Sequence, residues 1–98
     1  MKSITPQEFA ALDGAHLVDV REPAELQQVR VASAQPLPMS SLLDHLDQLP
    51  AGPVYILCHS GARSARVAAY LEQNGYDATN ILGGIVDWEA AGLPVERG

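Results

Sequence analysis

The segment Val54-Tyr55-Ile56-Leu57-Cys58 constrains this chain more than any other. It is apolar throughout, of strand length, and bounded by Pro53 on one side and His59-Ser60-Gly61-Ala62 on the other. A strand that is apolar at every position, not at alternate ones, has both faces covered, which is the pattern of a parallel sheet between helices. The next residues agree with this. Small side chains lead into an alanine-rich run, predicted helical from about Arg63 to Asn74, and Gly75 stands where a left-handed residue closes a helix.

The rest of the chain repeats the alternation. Ile4 is a short apolar entry, and Thr5-Pro6-Gln7-Glu8 reads as a capping box with proline at the first helical position. Phe9 and Leu12 face inward from that short helix, which stops at Asp13-Gly14. His16 to Val20 is a buried strand, Pro23 opens a turn or two of helix through Gln28, and Gln35 to Pro38 is extended by its prolines. Ser40 or Ser41 caps a predicted helix with Leu42, Leu43, Leu46 and Leu49 at helical spacing, closed by Pro50. Ala78 to Leu82 is a strand, Gly83-Gly84 a tight turn, and Ile85 to Ala91 a helix. Strands alternating with helices predict an α/β fold with a central, mostly parallel sheet and helices on both faces.

The 98 residues suit one domain, 1–98. Twelve acidic residues against six Lys and Arg give a net charge of −6, and cations scattered from Lys2 to Arg97 make no nucleic-acid surface. The apolar runs are far too short to span a membrane, and the N-terminus has no apolar signal region, so a cytoplasmic protein is expected. One cysteine excludes an internal disulfide. His16, His45 and His59 offer no metal-ligand spacing, so neither a metal nor another cofactor is expected.

Ligands of open α/β sheets collect at the carboxyl ends of the strands, and Cys58 ends the most buried one. The first-turn amides of the following helix lack intrahelical partners and point back towards the loop. Small residues, with Gly61 able to turn left-handed, let further amides converge into an anion-binding nest. A sulfur held there is favoured as thiolate. Lowering a thiol pKa by ~2 units takes ~2.7 kcal/mol, within reach of a helix N-terminus and a nearby Arg63. The competing reading is that a lone buried cysteine only fills space at a strand end.

Cys58-His59-Ser60-Gly61-Ala62-Arg63-Ser64 resembles the active-site loop of the rhodanese homology domain, Cys-x-x-Gly-x-Arg-Ser. Asp19-Val20-Arg21-Glu22-Pro23-Ala24-Glu25 is similar to that family's Asp-Val-Arg-x-x-x-Glu, Gly75-Tyr76 to its Gly-Tyr, and Gly83-Gly84 with Trp88 to its Gly-Gly-x-x-x-Trp. Val29-Arg30-Val31-Ala32-Ser33-Ala34 departs from the family's Gly-His-Ile-x-Gly-Ala. The resemblance implies a single rhodanese-like domain acting as a thiosulfate-type sulfurtransferase. Cys58 would take a sulfane sulfur, rest as a persulfide in the nest formed by His59, Ser60, Gly61, Ala62, Arg63 and Ser64, and pass it to cyanide or a thiol. No resolving cysteine is needed for such a cycle.

Three side chains leave alternatives open. His59 either tunes the thiolate or faces solvent. Arg63 either reaches over the nest or pairs with a surface carboxylate, and Arg66 is expected against Asp19 or Glu25. Asp19 and Arg21 read as structural ion-pair partners near the strand ends, and Trp88 as core. Rival functions are a persulfide carrier serving a sulfur-accepting protein and, less favoured, a cysteine-dependent phosphatase. The latter's loop has five residues between Cys and Arg, where this chain has four.

Overall fold

Thr5 starts the first helix as its sequence implies: its side chain accepts from the Glu8 amide while Glu8 accepts from the Thr5 amide. The computed structural model, which describes residues 1–98, orders the chain as β1 (Lys2–Ile4), α1 (Pro6–Ala10), β2 (His16–Asp19), α2 (Pro23–Gln28), β3 (Val29–Arg30), β4 (Gln35–Pro36), a 3₁₀ helix (Met39–Gln48), β5 (Val54–Leu57), α3 (Ala62–Gln73), β6 (Ala78–Ile81), α4 (Gly84–Ala90) and β7 (Glu96–Arg97). The predicted capping glycine is in place. Gly75 has φ +87°, and the amides of Gly75 and Tyr76 return to the Glu72 and Leu71 carbonyls, closing α3 with a Schellman motif.

The sheet runs β1-β6-β5-β2-β4, and every adjacent pair is parallel. Its register sets Val18 beside Ile56 and Ile56 beside Asn80. Alternation then sorts the strands into two faces. Val18, Val54, Ile56, Cys58 and Ala78 pack under Val67 and Leu71 of α3 and Leu42 of the 3₁₀ helix. Leu17, Leu57 and Ile81 pack against Phe9 of α1 and Ile85 and Trp88 of α4. The Phe9 ring lies 5.3 Å from that of Tyr55 and 5.8 Å from that of Trp88. The expected α/β layering is therefore the observed one, with β5 central. No helix is long and apolar enough to cross a membrane.

Leu12, expected to face inward from α1, lies beyond its end and is 44% exposed, and three segments also differ from expectation. Ile4 is not merely an entry: it ends an edge strand in register with Ile81. The helix expected from Ser40 or Ser41 is instead a 3₁₀ run broken at His45 (φ −130°). The reason is spacing. Met39 with Leu42, and Leu46 with Leu49, recur three residues apart on either side of the break, and all four pack on one cluster. Leu43, expected inside, is 65% exposed. Finally, β3 and β7 form an antiparallel two-stranded ribbon that takes in Val29 and Arg30, the first two residues of the segment departing from the family pattern, with Arg30 paired to Glu96 at 3.3 Å.

Candidate active site

Cys58 follows the last residue of β5, and its side chain falls on the α3 face. Two features of the local backbone shape the loop around it. Gly61 is left-handed (φ +101°) at the N-cap of α3, which curls the chain back so that its amide donates to Cys58 Sγ at 3.0 Å. The carbonyls of Cys58 and His59 turn the other way and accept from the amides of Ile85 (2.8 Å) and Val86 (3.1 Å) in the first turn of α4. One helix N-terminus thus takes the loop's carbonyls while the other presents amides to the sulfur.

This arrangement explains the double glycine. A Cβ on Gly84 (φ +58°) would overlap the backbone carbonyls of Cys58 and His59, and one on Gly83 (φ +73°) would overlap the Asp87 side chain. The tight turn read from the sequence is present, and it is also the seat of the loop.

Ser64, fully buried in the first turn of α3, closes the floor. Its Oγ lies 3.2 Å from Cys58 Sγ, 3.2 Å from the Gly61 carbonyl and 2.5 Å from Asn80 Oδ1 of β6. Burial pushes the Cys58 thiol up, but hydrogen bonds from the Ser64 hydroxyl and from the amides of Ser64, Gly61 and Ser60 more than offset it. The net result is a thiol below its ordinary value. Cys58 is only 1% exposed, so what reaches it must be small or must lead with a narrow end.

The other loop residues divide by exposure. His59, Ser60 and Ala62 are exposed and give the loop their backbone, whereas Arg63 is half-buried. Its guanidinium is not extended over the loop. Nη1 and Nη2 donate to the two carboxylate oxygens of Glu25 at 2.6 and 2.8 Å. This contact raises Arg63 and holds the Glu25 carboxyl down at about 2. The expected pairing of Arg66 with Asp19 or Glu25 is therefore corrected. Arg63 occupies Glu25, Asp19 is bound by Arg21, and Arg66 is exposed. The Asp19–Arg21 pair is as expected near the end of β2. Arg21 Nη2 lies 2.9 Å from Asp19 Oδ2 and donates to the Val29 carbonyl at 2.7 Å, with both residues 1% exposed. It ties the departing chain to α2 and so places Glu25.

Three contributors escaped the sequence reading. Asn80 sits on an interior strand as a buried amide, and that buried polar residue between Ala78 and Ile81 is the signal that points to it. Glu22 accepts from the Ser40 hydroxyl at 2.6 Å and fastens α2 to the 3₁₀ helix. The docking role of Gly84 depends on a contact between distant segments and leaves only its glycine as a trace.

Comparisons with known proteins agree with this geometry. Residues 5–91 match the family model described as Rhodanese-like domain. The chain is 41% identical over 91 residues to a protein of Allochromatium vinosum named "Sulfurtransferase", covering 91% of this chain and 85% of that relative. It is 33% identical over 84 residues to "Thiosulfate sulfurtransferase GlpE" of Vibrio cholerae, covering 84% of this chain and 79% of the relative. The crystal structure of a rhodanese-related protein from Thermoplasma volcanium superposes with a TM-score of 0.91 at 30% identity, covering 98% of each chain.

Proposed function

The chain belongs to the rhodanese-like domain family, and on that premise we propose that residues 1–98 act as one sulfurtransferase domain carrying sulfur on Cys58. The observation that supports this most directly is the sulfur seated on the Gly61 amide and the Ser64 hydroxyl, with the loop carbonyls turned away into α4.

The proposed donor is thiosulfate or a similar sulfane compound, a reading favoured by the name of the Vibrio cholerae relative. The Cys58 thiolate attacks the outer sulfur, a Cys–S bond forms, the S–S bond of the donor breaks, and sulfite leaves with that bond's electron pair. The terminal sulfur of the persulfide carries the negative charge and lies among the amides of Ser60, Gly61 and Ser64. Cyanide or a thiolate then attacks that sulfur, and Cys58 leaves as thiolate. His59 and Ala62 supply backbone to the loop, and Arg63, its charge answered by Glu25, ties the loop to α2. A sulfur-accepting protein is a further acceptor of the same chemistry. The cycle uses a free thiol and belongs in a reducing compartment, which fits the cytoplasm.

A phosphatase reading is disfavoured on two counts. Four residues separate Cys58 from Arg63, and the arginine that such a reaction needs on the phosphoryl oxygens is bound by Glu25. The test is intact-mass spectrometry. Thiosulfate should add one sulfur atom to the chain, cyanide should remove it as thiocyanate, and Cys58→Ser should abolish both. Turnover of thiosulfate by Cys58→Ser, or faster release of phosphate from an aryl phosphate than of thiocyanate by the unaltered protein, would overturn the proposal.

A further inference from the structure

Ser64 has one hydroxyl proton and three acceptors around its Oγ: Cys58 Sγ at 3.2 Å, the Gly61 carbonyl at 3.2 Å and Asn80 Oδ1 at 2.5 Å. Cys58, Ser64 and Asn80 are all buried, so bulk water does not satisfy whichever acceptor loses. The charge on the sulfur decides the contest. While Cys58 keeps its proton, Sγ–H donates to Ser64 Oγ, which donates onward to Asn80 Oδ1. Once that proton has left to solvent, the sulfur only accepts, and Ser64 must turn its own proton towards it. Asn80 Oδ1 would then face Ser64 Oγ at the same short distance with no proton between them. An asparagine side chain has a remedy that a carboxylate lacks, because its other end has nearly the same shape and carries two donors.

We propose that Asn80 is a positioning residue for Cys58. Its amide turns end for end as the sulfur gains charge, so that Nδ2 donates to Ser64 Oγ and the chain Asn80–Ser64–Cys58 reverses direction. The placement fits the role. Asn80 shares the α3 face of the sheet with Ala78 and Cys58, in register with Ile56, where a buried amide is costly unless it is hydrogen-bonded. Bonded in this way it stabilises the charged sulfur through a neighbour without touching it. The charged groups near the loop act from elsewhere: Arg63 and Arg66 on α3, Glu22 and Glu25 at α2, His59 in the loop, the Asp19–Arg21 pair and Asp87 on α4. The hydrogen-bond partners of Cys58 Sγ are instead the Ser64 hydroxyl and the amides of Ser60, Gly61 and Ser64.

The inference deepens the reading of Cys58 as the reactive sulfur. Its test needs no sulfur donor, so its failure is distinct from a failure of sulfur transfer. With a single cysteine, thiolate absorbance reports Cys58 alone. Asn80→Asp, which accepts but does not donate, should raise the thiol pKa by about one unit or more. The same change in a Ser64→Ala background should raise it by less than half as much. Asn80→Ala should also raise it, by less, and again only with Ser64 present. Equal shifts in both backgrounds would mean that Asn80 acts through space, and an unchanged or lowered pKa in Asn80→Ala would make it a fixed competitor for the Ser64 proton; either result overturns the proposal. In the unaltered protein, the Asn80 side-chain amide resonances should move with the midpoint of Cys58 ionisation. Resonances that ignore that midpoint would overturn it without any variant.

Discussion

Arg63 and Glu25 meet through two hydrogen bonds with each side chain 32% exposed, a geometry better than most surface pairs achieve. Because Glu25 is held at about 2, below its ordinary value, the stability it lends is complete at neutral pH and drains away as the pH falls towards about 2. Arg63→Ala should therefore cost roughly 1 kcal/mol or less at pH 7, and the variant and parent should converge near pH 2. Urea midpoints at several pH values read this directly. A cost that persists at the acid end would mean that Arg63 acts through packing instead. The sequence contains this pair but does not choose it. Arg63 and Arg66 stand three residues apart on one helix and present overlapping faces to any carboxylate nearby. Only the closure of the loop brings the first of them to Glu25. Cys58 was legible because a lone thiol at the end of an apolar strand has a chemical consequence wherever the chain goes next. Asn80 was harder to read, since its meaning depends on a hydroxyl 16 residues earlier.

The docking of the loop onto α4 is a contact between elements. Cys58 and His59 give their carbonyls to the first turn of a helix that begins 25 residues later, and only a residue without a side chain fits at position 84. Gly84→Ala adds a methyl group against two backbone oxygens in a left-handed conformation. It should cost about 2–4 kcal/mol and lower sulfur transfer at least tenfold, because the loop moves off its seat and its amides lose their aim. Denaturation and kcat/KM on the same preparation check both halves, and a destabilised variant with full activity would show that the loop holds its shape unaided. Elements with long apolar runs or strong caps were legible: β2, β5, α1 and α3 fall within a residue or two of the expected bounds. β1 and the β3–β7 ribbon were not, because two- and three-residue strands at an edge carry no periodicity. The 3₁₀ helix departs from expectation because its leucines fit both spacings until the packing selects one.

At the scale of the whole molecule, charge opposes the proposed chemistry. The protein carries −6 and measures 33 × 28 × 23 Å, while thiosulfate is a dianion. At about 10 mM salt the screening length is roughly 30 Å, so every surface carboxylate is felt at the mouth of the loop. At about 150 mM it shrinks to roughly 8 Å, which leaves mainly the amides that the loop and the first turn of α3 present to the sulfur. kcat/KM for thiosulfate should accordingly rise a few-fold as potassium chloride is raised across that range. A steady fall instead would mean that local positive potential already governs the encounter. The parallel sheet between two helical layers was readable at this scale from strand and helix alternation alone, since few other arrangements bury such a sequence.

The convergence of Gly61, Gly83 and Gly84 carries an evolutionary corollary. His59, Ser60 and Ala62 lend the loop their backbone and leave their side chains in solvent, so lineages descended from this sequence are free to drift at all three. The glycines have no such latitude, because each is left-handed and the space beside Gly83 and Gly84 is already taken. Among such descendants, heritable information about the seat of the sulfur would concentrate in positions that carry no side chain.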